Sequence, residues 1–381
     1  MRKPYTLLFD ANPLVGKKTG IGYYTAGLIT ELAKHPDKVR LVGYYYDFLG
    51  RQHAPPELPG VSFRRIIWIP RQVVNALRRF GAPPPIEALT LIHADAILYS
   101  DFLGLPSLFK TPSSPIVYDL TYIDVPLYVS SKNARDLKNL MPKTLARAAF
   151  ITTISAFSKQ RIMRVYGVPS KDIIIAPVAP STIKRPSPQE TDVVLRHLKL
   201  SKGFILFMGT LEPRKNLLNL LKAYTLLPMS IRSTTPLVLA GKTDGESVSI
   251  TEYIRTLQAE GFAIRYLGYV NDSTRAALYE GAGIFVLPSH YEGFGMPILE
   301  ALQHQLPVLV SDIPVFHEVA DEAGIYFDKD DPNDLAKKLD RALTDSKTRN
   351  LLLLALPKRL GAFSWQESAQ RVIEAFERQD T

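Results

Sequence analysis

The strongest constraint on the fold is an alternation of short apolar runs with amphipathic stretches, which continues along the whole chain. Each run has the length of a buried strand, and each amphipathic stretch has helical spacing. This alternation is typical of doubly wound α/β domains, in which helices cover both faces of a parallel sheet. A chain of 381 residues exceeds one ordinary core, so two such domains are expected.

The predicted elements fall into two series. In the first half, strands are predicted over Thr6–Phe9, Val39–Tyr46, Ala96–Tyr99, Ile116–Tyr118 and Phe150–Ile154. In the second half, strands are predicted over Phe204–Met208, Leu237–Leu239, Ala263–Tyr266, Ile284–Leu287 and Pro307–Val310. The clearest helical patterns cover Tyr23–Lys34, Leu217–Tyr224, Pro297–Gln303 and Phe363–Phe376.

The proline-rich stretch Pro177–Pro188 interrupts regular structure and predicts a linker. We therefore expect an N-terminal domain over residues 1–180 and a linker over 181–200. A C-terminal domain over 201–360 would follow, and a last helix over 361–381 would return to the N-terminal domain. Two Rossmann-like domains would then face each other across a cleft, with ligands at the carboxyl ends of the strands.

Composition excludes several kinds of site. The chain contains no cysteine, so disulfides, thiolate nucleophiles and zinc–thiolate sites are excluded. The first apolar run is interrupted at Asp10, too early for a signal peptide or a membrane span, so a cytoplasmic protein is expected. No strand-linked G-x-G-x-x-G motif is present, which argues against a dinucleotide dehydrogenase.

The net charge of +9 is concentrated in the first half of the chain. Residues 1–180 carry 23 lysines and arginines against 12 acidic residues, whereas the rest of the chain is slightly acidic. Such a domain suits an anionic partner, namely a membrane surface, a polyanionic glycan or a nucleic acid. At a membrane, the protein would lie peripherally at the inner face. Solubility alone explains the charge equally well. Without a basic–aromatic binding module, no specific nucleic acid is expected.

The stretch Phe63–Phe80 predicts a basic amphipathic helix with an apolar stripe. Two interpretations are open. The favoured one packs the stripe on the domain's own sheet, and the other rests the helix on an anionic membrane.

A first motif, GTLEPRKN, occupies Gly209–Asn216 between a predicted strand and a predicted helix. Asn216 is a good N-cap residue, so Arg214 and Lys215 stand just before a helix N-terminus. Cations are disfavoured there unless an anion lies between them and the helix, and a diphosphate would fit. The alternative is that both are solvated loop residues.

A second motif, SHYEGFGMPILE, occupies Ser289–Glu300. Its glycines allow backbone amides to approach a ligand closely, and its proline suits the first turn of a helix. Glu300 lies about one turn into that helix, where a carboxylate can accept paired ribose hydroxyls. Glu292, in the loop, can accept sugar hydroxyls or offset charge at a reacting centre. Alternatively, Glu300 compensates the helix dipole and the glycines form simple turns.

These motifs carry a resemblance to a known family. GTLEPRKN, LGYV, PSHYEGFGMPILEAL and LPVLVSDIPVFHEVA resemble the donor-binding domain of retaining glycosyltransferase family four, whose fold is GT-B. The paired glutamates have that family's spacing. The likeness extends to TGIGYYT, SAFSKQRIMRVYGVPSKDI and FSWQESA and therefore covers nearly the whole chain. The TGIGYYT opening resembles the mannosyltransferase-like branch.

The resemblance implies roles for individual residues. Arg214 and Lys215 would hold the donor diphosphate, Glu300 the ribose and Glu292 the transferred sugar. The remaining donor-binding positions implied are Gly20, Gly22, Gly209, Gly268, Val270, Gly293, Phe294 and Gly295. Asp119 would lie beside the sugar as a catalytic residue, but Tyr118 stands where the family commonly has histidine. Because an ordinary tyrosine has a pKa near 10, Tyr118 does not suit a base at neutral pH.

The resemblance further implies a retaining mechanism without an enzyme nucleophile, in which positive groups stabilise the leaving diphosphate. No aspartate-rich metal motif accompanies the site, so metal independence and no cofactor are predicted. The partners would be a nucleotide-sugar donor and a glycan or lipid-linked glycan acceptor in cell-surface polysaccharide synthesis. GDP-mannose is the favoured donor. A UDP-sugar is the main alternative, and a GT-B nucleotide-sugar epimerase a further one.

Overall fold

The computed structural model describes residues 3–50, 53–180, 184–243 and 248–380. The chain forms two compact units, one made of Met1–Val178 with Ser364–Thr381 and the other of Ala179–Phe363. Each unit is built around a parallel sheet with helices packed on it. The predicted class, α/β with two Rossmann-like doubly wound domains, is confirmed.

The strands of the first unit are β1 (Tyr5–Asp10), β2 (Val39–Tyr46), β3 (Val61–Ile66), β4 (Ala96–Tyr99), β5 (Ser113–Val117), β6 (Ile151–Thr153) and β7 (Ile173–Ile175). Those of the second unit are β8 (Phe204–Met208), β9 (Leu237–Ala240), β10 (Ile264–Tyr266), β11 (Ala282–Leu287), β12 (Val308–Ser311) and β13 (Gly324–Phe327). Within the described residues the strand orders are β3-β2-β1-β4-β5-β6-β7 and β10-β9-β8-β11-β12-β13. The order reverses direction at β1/β4 in one sheet and at β8/β11 in the other, and such switch points are where ligands bind.

The helices of the first unit are α1 (Gly20–Leu32), α2 (Arg71–Arg79), α3 (Ile86–Thr90), α4 (Thr121–Asp124), α5 (Ser131–Leu145), α6 (Ala156–Tyr166) and α16 (Trp365–Glu377). Those of the second unit are α7 (Pro188–His197), α8 (Leu217–Leu226), α9 (Met229–Arg232), α10 (Val248–Ala259), α11 (Asp272–Gly281), α12 (Met296–Gln303), α13 (Pro314–Val319), α14 (Pro332–Thr344) and α15 (Ser346–Gly361). None of the helices in the described ranges is both long and apolar enough to cross a bilayer.

Strands with continuous apolar sequences form the centres of the sheets. Every residue of β8 and β9 is buried, as expected for strands covered by helices on both faces. The prediction omitted β3, β7 and β13. These are three of the four edge strands of the two sheets. Polar residues interrupt β3, whereas β7 and β13 are apolar runs of only three and four residues.

The interval 181–200, predicted to be a linker, contains helix α7. Residues 181–183 lie outside the described residues, whereas Ser187 caps α7 in a capping box with Glu190. Leu195 is buried, and α7 packs on α11 in the second unit. The pattern Ser-Pro-Gln-Glu was the available signal for this helix start.

The last helix, α16, packs on α1 and β7 in the first unit. Trp365 packs against the ring of Tyr24, and Ser368 donates a 2.8 Å hydrogen bond to the carbonyl of Pro177. The helix begins two residues later than predicted, because the hydroxyl of Ser364 caps it by accepting from the amide of Glu367.

The apolar stripe of helix α2 is not packed on the sheet in the way that was favoured from the sequence. Only Val74 is buried, while the side chains of Val73, Leu77 and Phe80 are exposed. The expectation that the stripe packs on the domain's own sheet is therefore wrong for most of it, since α2 covers the sheet with a single residue.

Candidate functional site

The predicted donor residues gather at the carboxyl end of the second sheet. The loop after β8 carries Arg214 and Lys215, and the loop after β11 carries Glu292. Because β8 and β11 are neighbours at the switch point of this sheet, their loops meet. The amide of His290 donates a 2.9 Å hydrogen bond to the carbonyl of Arg214 and ties the two loops together.

Backbone approaches closely where the loops after β8, β9 and β10 meet. The amide of Gly209 donates to the carbonyl of Ala240, and the amide of Gly241 donates to the carbonyl of Gly268. Gly241 has a φ of +145°, and a Cβ placed there would lie 1.8 Å from the carbonyl oxygen of Gly209. Glycine is therefore required at position 241, which the sequence reading did not single out. Gly209 and Gly268 both belong to this backbone platform.

The two cations lie in a short 3-10 turn, Pro213–Lys215, rather than in the helix itself. Asn216 follows with φ +55° and does not cap α8 with its side chain. Its side-chain amide donates instead to the carbonyl of Lys329. The predicted N-cap bond is therefore absent from this described segment, but the turn still places Arg214 and Lys215 immediately before the helix.

The carboxylate of Glu292 lies between the two cations. Its Oε2 is 2.7 Å from Nη1 of Arg214, and its Oε1 is 2.5 Å from Nζ of Lys215. Ser289 donates a further 2.8 Å hydrogen bond to Oε1. Burial raises the pKa of Glu292, but the charges of Arg214 and Lys215 and the hydrogen bonds from both outweigh it and lower the pKa to about 2. The carboxylate is therefore ionised throughout the neutral range.

A second carboxylate contacts the same arginine. Oε1 of Glu212 lies 2.6 Å from Nη2 of Arg214, so this guanidinium contacts two carboxylates. Glu212 lies within the GTLEPRKN motif, but its contact with Arg214 was not predicted. With Lys215, these side chains form a cluster of two cations and two anions, which a diphosphate would enter by competing for the cations.

The glycine-rich loop leads into α12. Gly295 has φ +104°, and a Cβ there would meet the ring of Phe316 at 2.8 Å. Gly293 and Phe294 precede it and are buried. The Phe294 ring packs against Phe363 at 5.3 Å, so its side chain belongs to the core and only its backbone is suited to a ligand.

Glu300 lies on α12, where it is 6% exposed. Its Oε1 is 3.1 Å from Nη1 of Arg275, a buried residue of α11 that the sequence reading missed. Burial raises the pKa of Glu300, and the charge of Arg275 opposes that shift. Val270 is half-buried in the loop that leads into α11.

The other predicted residues belong to the first unit. Gly20 and Gly22 lie in the first turn of α1, not in a loop before it. A Cβ at Gly22 would lie 2.4 Å from the carbonyl oxygen of Pro13, whereas a Cβ at Gly20 would meet nothing within 4 Å. The close approach explains glycine at position 22 but not at position 20.

Asp119 follows β5 at the carboxyl edge of the first sheet. Its Oδ1 accepts hydrogen bonds from the amide and the hydroxyl of Thr121 at 2.8 and 2.6 Å. Tyr118 is buried, and its hydroxyl donates to the carbonyl of Ser100 at 3.0 Å. Burial raises the pKa of Tyr118 well above its ordinary value, so its hydroxyl is neutral at physiological pH.

Potential metal ligands do not cluster in the described ranges: no group of three or more histidines and carboxylates there could hold a metal ion. His290, His304 and His317 each pair with a different carboxylate, namely Asp330, Glu280 and Asp312.

The chain is similar in sequence to known proteins. Residues 194–352 match the family described as glycosyl transferases group 1. The chain is 31% identical to O-antigen chain mannosyltransferase B of Escherichia coli, over 97% of this chain and 99% of that protein. It is 34% identical to the serotype-specific mannosyltransferase WbdA of Escherichia coli, over 47% of this chain and 22% of that protein.

Among solved structures, HepE of Anabaena in complex with UDP and glucose superposes with a TM-score of 0.73 at 15% identity. The match covers 98% of this chain and all of HepE, and at this low identity it shows only that the two proteins share a fold. The fold and the sequence matches together define a glycosyltransferase with the GT-B fold. The chain belongs to the group 1 glycosyltransferases, which are similar to glycosyltransferase family four, and its full-length relative above is a mannosyltransferase.

Proposed function

We propose that this enzyme transfers mannose from GDP-mannose, with retention of anomeric configuration, to a glycan or lipid-linked glycan during cell-surface polysaccharide synthesis. The choice of mannose and of this process is supported by the names of the relatives, which are O-antigen and serotype-specific mannosyltransferases. The observation that carries the proposal is the buried contact of Arg214 and Lys215 with Glu292 at the switch point of the second sheet.

In the proposed reaction, the bond between the anomeric carbon and the diphosphate oxygen breaks, and the acceptor oxygen bonds to that carbon from the same face. The acceptor proton passes to the leaving diphosphate. Arg214 and Lys215 stabilise the negative charge that develops on this group. Because these cations can take the place of a metal ion, the reaction is proposed to be metal-independent.

The carboxylates receive separate roles. Glu292 holds both cations in place and binds hydroxyls of the transferred sugar, while Glu300 accepts the ribose hydroxyls. The backbone of Gly209, Gly268 and Val270 would lie along the nucleotide. The glycines before α12 allow amides at that helix start to approach the phosphates.

Thermal unfolding with GDP, UDP, ADP and their common sugars tests the donor site. A ligand at about a hundred times its dissociation constant adds roughly 2.7 kcal/mol of apparent stability. We expect a shift with GDP and GDP-mannose that survives a chelator and disappears in Lys215→Ala. A shift with UDP alone would make a UDP-sugar the donor. No shift with any nucleotide would overturn the donor site, and a requirement for a divalent cation would overturn metal independence.

Turnover then tests the reaction class. Nucleotide release should depend on an added mannosyl acceptor, and the anomeric configuration of the product, read by NMR, should equal that of the donor. An inverted linkage would contradict retention, and sugar conversion without an acceptor would contradict transfer.

We further propose a peripheral location at the inner face of the membrane. The side chain of Trp68, three residues before α2, is 54% exposed, and that of Phe80, directly after α2, is 87% exposed. Arg79 of α2 contacts Asp136 of α5 at 2.5 Å, so the two helices lie side by side. Their basic residues are Arg71, Arg78, Arg79, Lys132, Arg135, Lys138 and Lys143. Exposed aromatic rings among cations suit an anionic bilayer surface.

Co-sedimentation with vesicles of phosphatidylcholine, with and without phosphatidylglycerol, tests this location. We expect binding to anionic vesicles that weakens with salt and in Phe80→Ser. The matched control is Leu354→Ser, since Leu354 is a similarly exposed apolar residue of the second unit, at 78%. Equal binding by both variants, or none by the parent protein, would contradict the proposed surface.

A further inference from the structure

The buried contact between Arg275 and Glu300 joins two elements of the second unit. Arg275 lies on the first turn of α11, and Glu300 lies on α12. Both residues are less than a tenth exposed, and Nη1 of the arginine is 3.1 Å from Oε1 of the glutamate. Asp272 also lies 3.5 Å from the guanidinium. A buried ion pair is a weak source of stability, because desolvation of both charges offsets their attraction.

The surroundings of Glu300 oppose its ionisation. Burial raises its pKa and the charge of Asp272 adds to this effect, whereas the neighbouring hydroxyl of Tyr279 lowers the pKa. A protonated carboxyl group loses acceptor capacity, whereas a carboxylate can accept two neighbouring hydroxyls at once. Arg275 is the cation whose charge opposes the rise.

Arg275 also lies close in sequence to a loop that is proposed to contact the nucleotide. Helix α11 begins directly after the loop that ends at Val270, and Asn271 caps it by accepting from the amide of Thr274 at 2.9 Å. This loop contains Gly268 and Val270, whose backbone is proposed above to lie along the nucleotide. Arg275 therefore lies on the helix that follows this loop, and its guanidinium contacts the carboxylate proposed to bind the ribose.

We propose that Arg275 is a positioning residue for donor recognition: it fixes the orientation and the charge of Glu300, so that this carboxylate accepts the ribose 2′- and 3′-hydroxyls. The inference rests on the proposed role of Glu300 as the ribose ligand. Arg275 itself acts through Glu300 and does not touch the nucleotide.

Calorimetric binding of nucleotides with and without the diol tests the inference. The probes are GDP and 2′,3′-dideoxy-GDP, with UDP and 2′,3′-dideoxy-UDP in parallel. In the parent protein, removal of the diol should weaken binding about tenfold to a hundredfold, because hydrogen bonds to a buried charge are lost. In Arg275→Met, most of this preference for the diol should disappear, while dideoxynucleotide binding stays within about twofold. Arg341→Met is the matched control, since that arginine is 74% exposed.

The pH dependence of the diol preference distinguishes this role of Arg275 from a purely structural one, because loss of packing alone would not change it. The groups that face Glu300 and Arg275 are Asp272, Tyr279 and His304. The diol preference of the parent should change less with pH than that of Arg275→Met. In Arg275→Met, it should increase with pH, because Glu300 without its arginine ionises only at higher pH. Arg275→Lys should restore part of the preference and flatten the profile.

The outcomes separate the two levels of the proposal. If Glu300→Gln keeps the parent's diol preference, the role of Glu300 in ribose binding is wrong. If Glu300→Gln loses the preference but Arg275→Met retains it at every pH, the inference about Arg275 is wrong. Should Arg275→Met not fold, Arg275→Lys carries the test together with the double variant Arg275→Met/Glu300→Gln, which removes both buried charges. The inference then requires a reduced preference for the diol in Arg275→Lys and no such preference in the double variant.

Discussion

Replacement of Glu292 by glutamine should destabilise the second unit in a pH-dependent manner. The pKa of Glu292 falls from 4.5 to about 2 in the folded protein. Since one pKa unit corresponds to about 1.4 kcal/mol, ionised Glu292 contributes about 3 kcal/mol relative to a neutral isostere. For a domain of this size, that difference corresponds to a melting temperature lower by about 6–12 °C.

The sign of the pH dependence follows from the direction of the shift. A group whose pKa is lowered on folding stabilises the protein fully above its unfolded pKa and loses this effect as the pH falls through its folded pKa. The deficit of Glu292→Gln should therefore be constant between pH 8 and 6 and shrink below about pH 4.5. Urea unfolding at pH 7 and pH 4 measures it. Glu212→Gln is the control, because Glu212 is more exposed than Glu292 and contacts Arg214 but not Lys215. We expect this variant to lose about 1 kcal/mol or less of unfolding free energy.

Nucleotide binding should change in the opposite direction. In Glu292→Gln, Arg214 and Lys215 lose the carboxylate that they share, so a diphosphate no longer competes with it. We expect GDP to bind at least about tenfold more tightly to this variant, while turnover falls. A variant as stable as the parent at pH 7, with unchanged GDP affinity, would refute the reasoning.

Three further variants separate folding from function. Gly241→Ala should lower the free energy of unfolding by about 3 kcal/mol and abolish nucleotide-dependent stabilisation, because the added Cβ meets the carbonyl of Gly209. The control Gly361→Ala has open space around its Cβ and should be neutral in the same unfolding assay. Gly22→Ala should destabilise the protein by about 1–3 kcal/mol, whereas Gly20→Ala should keep the parent's melting temperature and lose activity. Full activity of Gly20→Ala would show that Gly20 does not lie close to the substrate. Tyr118→Phe should lose about 1 kcal/mol with its hydrogen bond and leave the pH–rate profile unchanged; a shifted profile would reinstate Tyr118 as a titrating group.

The sequence predicted the central strands and the donor loops because both carry strong local signals. Continuous apolar runs identify strands buried on two faces, and glycines beside charged residues identify the loops at their ends. The edge strand β3 lacks this signal, because polar residues interrupt its apolar ones, and the edge strands β7 and β13 are apolar but only three and four residues long.

The partners within the site were less predictable. Lys215 and Glu292 are 77 residues apart, so nothing in their local spacing indicates that their side chains meet. Arg275 sits in an ordinary amphipathic helix and becomes notable only through its contact with Glu300. The stripe of α2 was misassigned for a related reason: periodicity shows that apolar residues share a face but not whether a sheet covers it.

The return of α16 to the first unit has a consequence for how the protein is made. The rings of Tyr5 and Phe150 pack against Phe376, and the side chain of Trp365 occupies the space beside Gly27. A ribosome therefore releases the whole second unit before it supplies the residues that complete the first. Until α16 is synthesised, part of the apolar interior of the first unit stays uncovered. Premature termination near residue 363 would leave the second unit complete and deprive the first unit of its last helix.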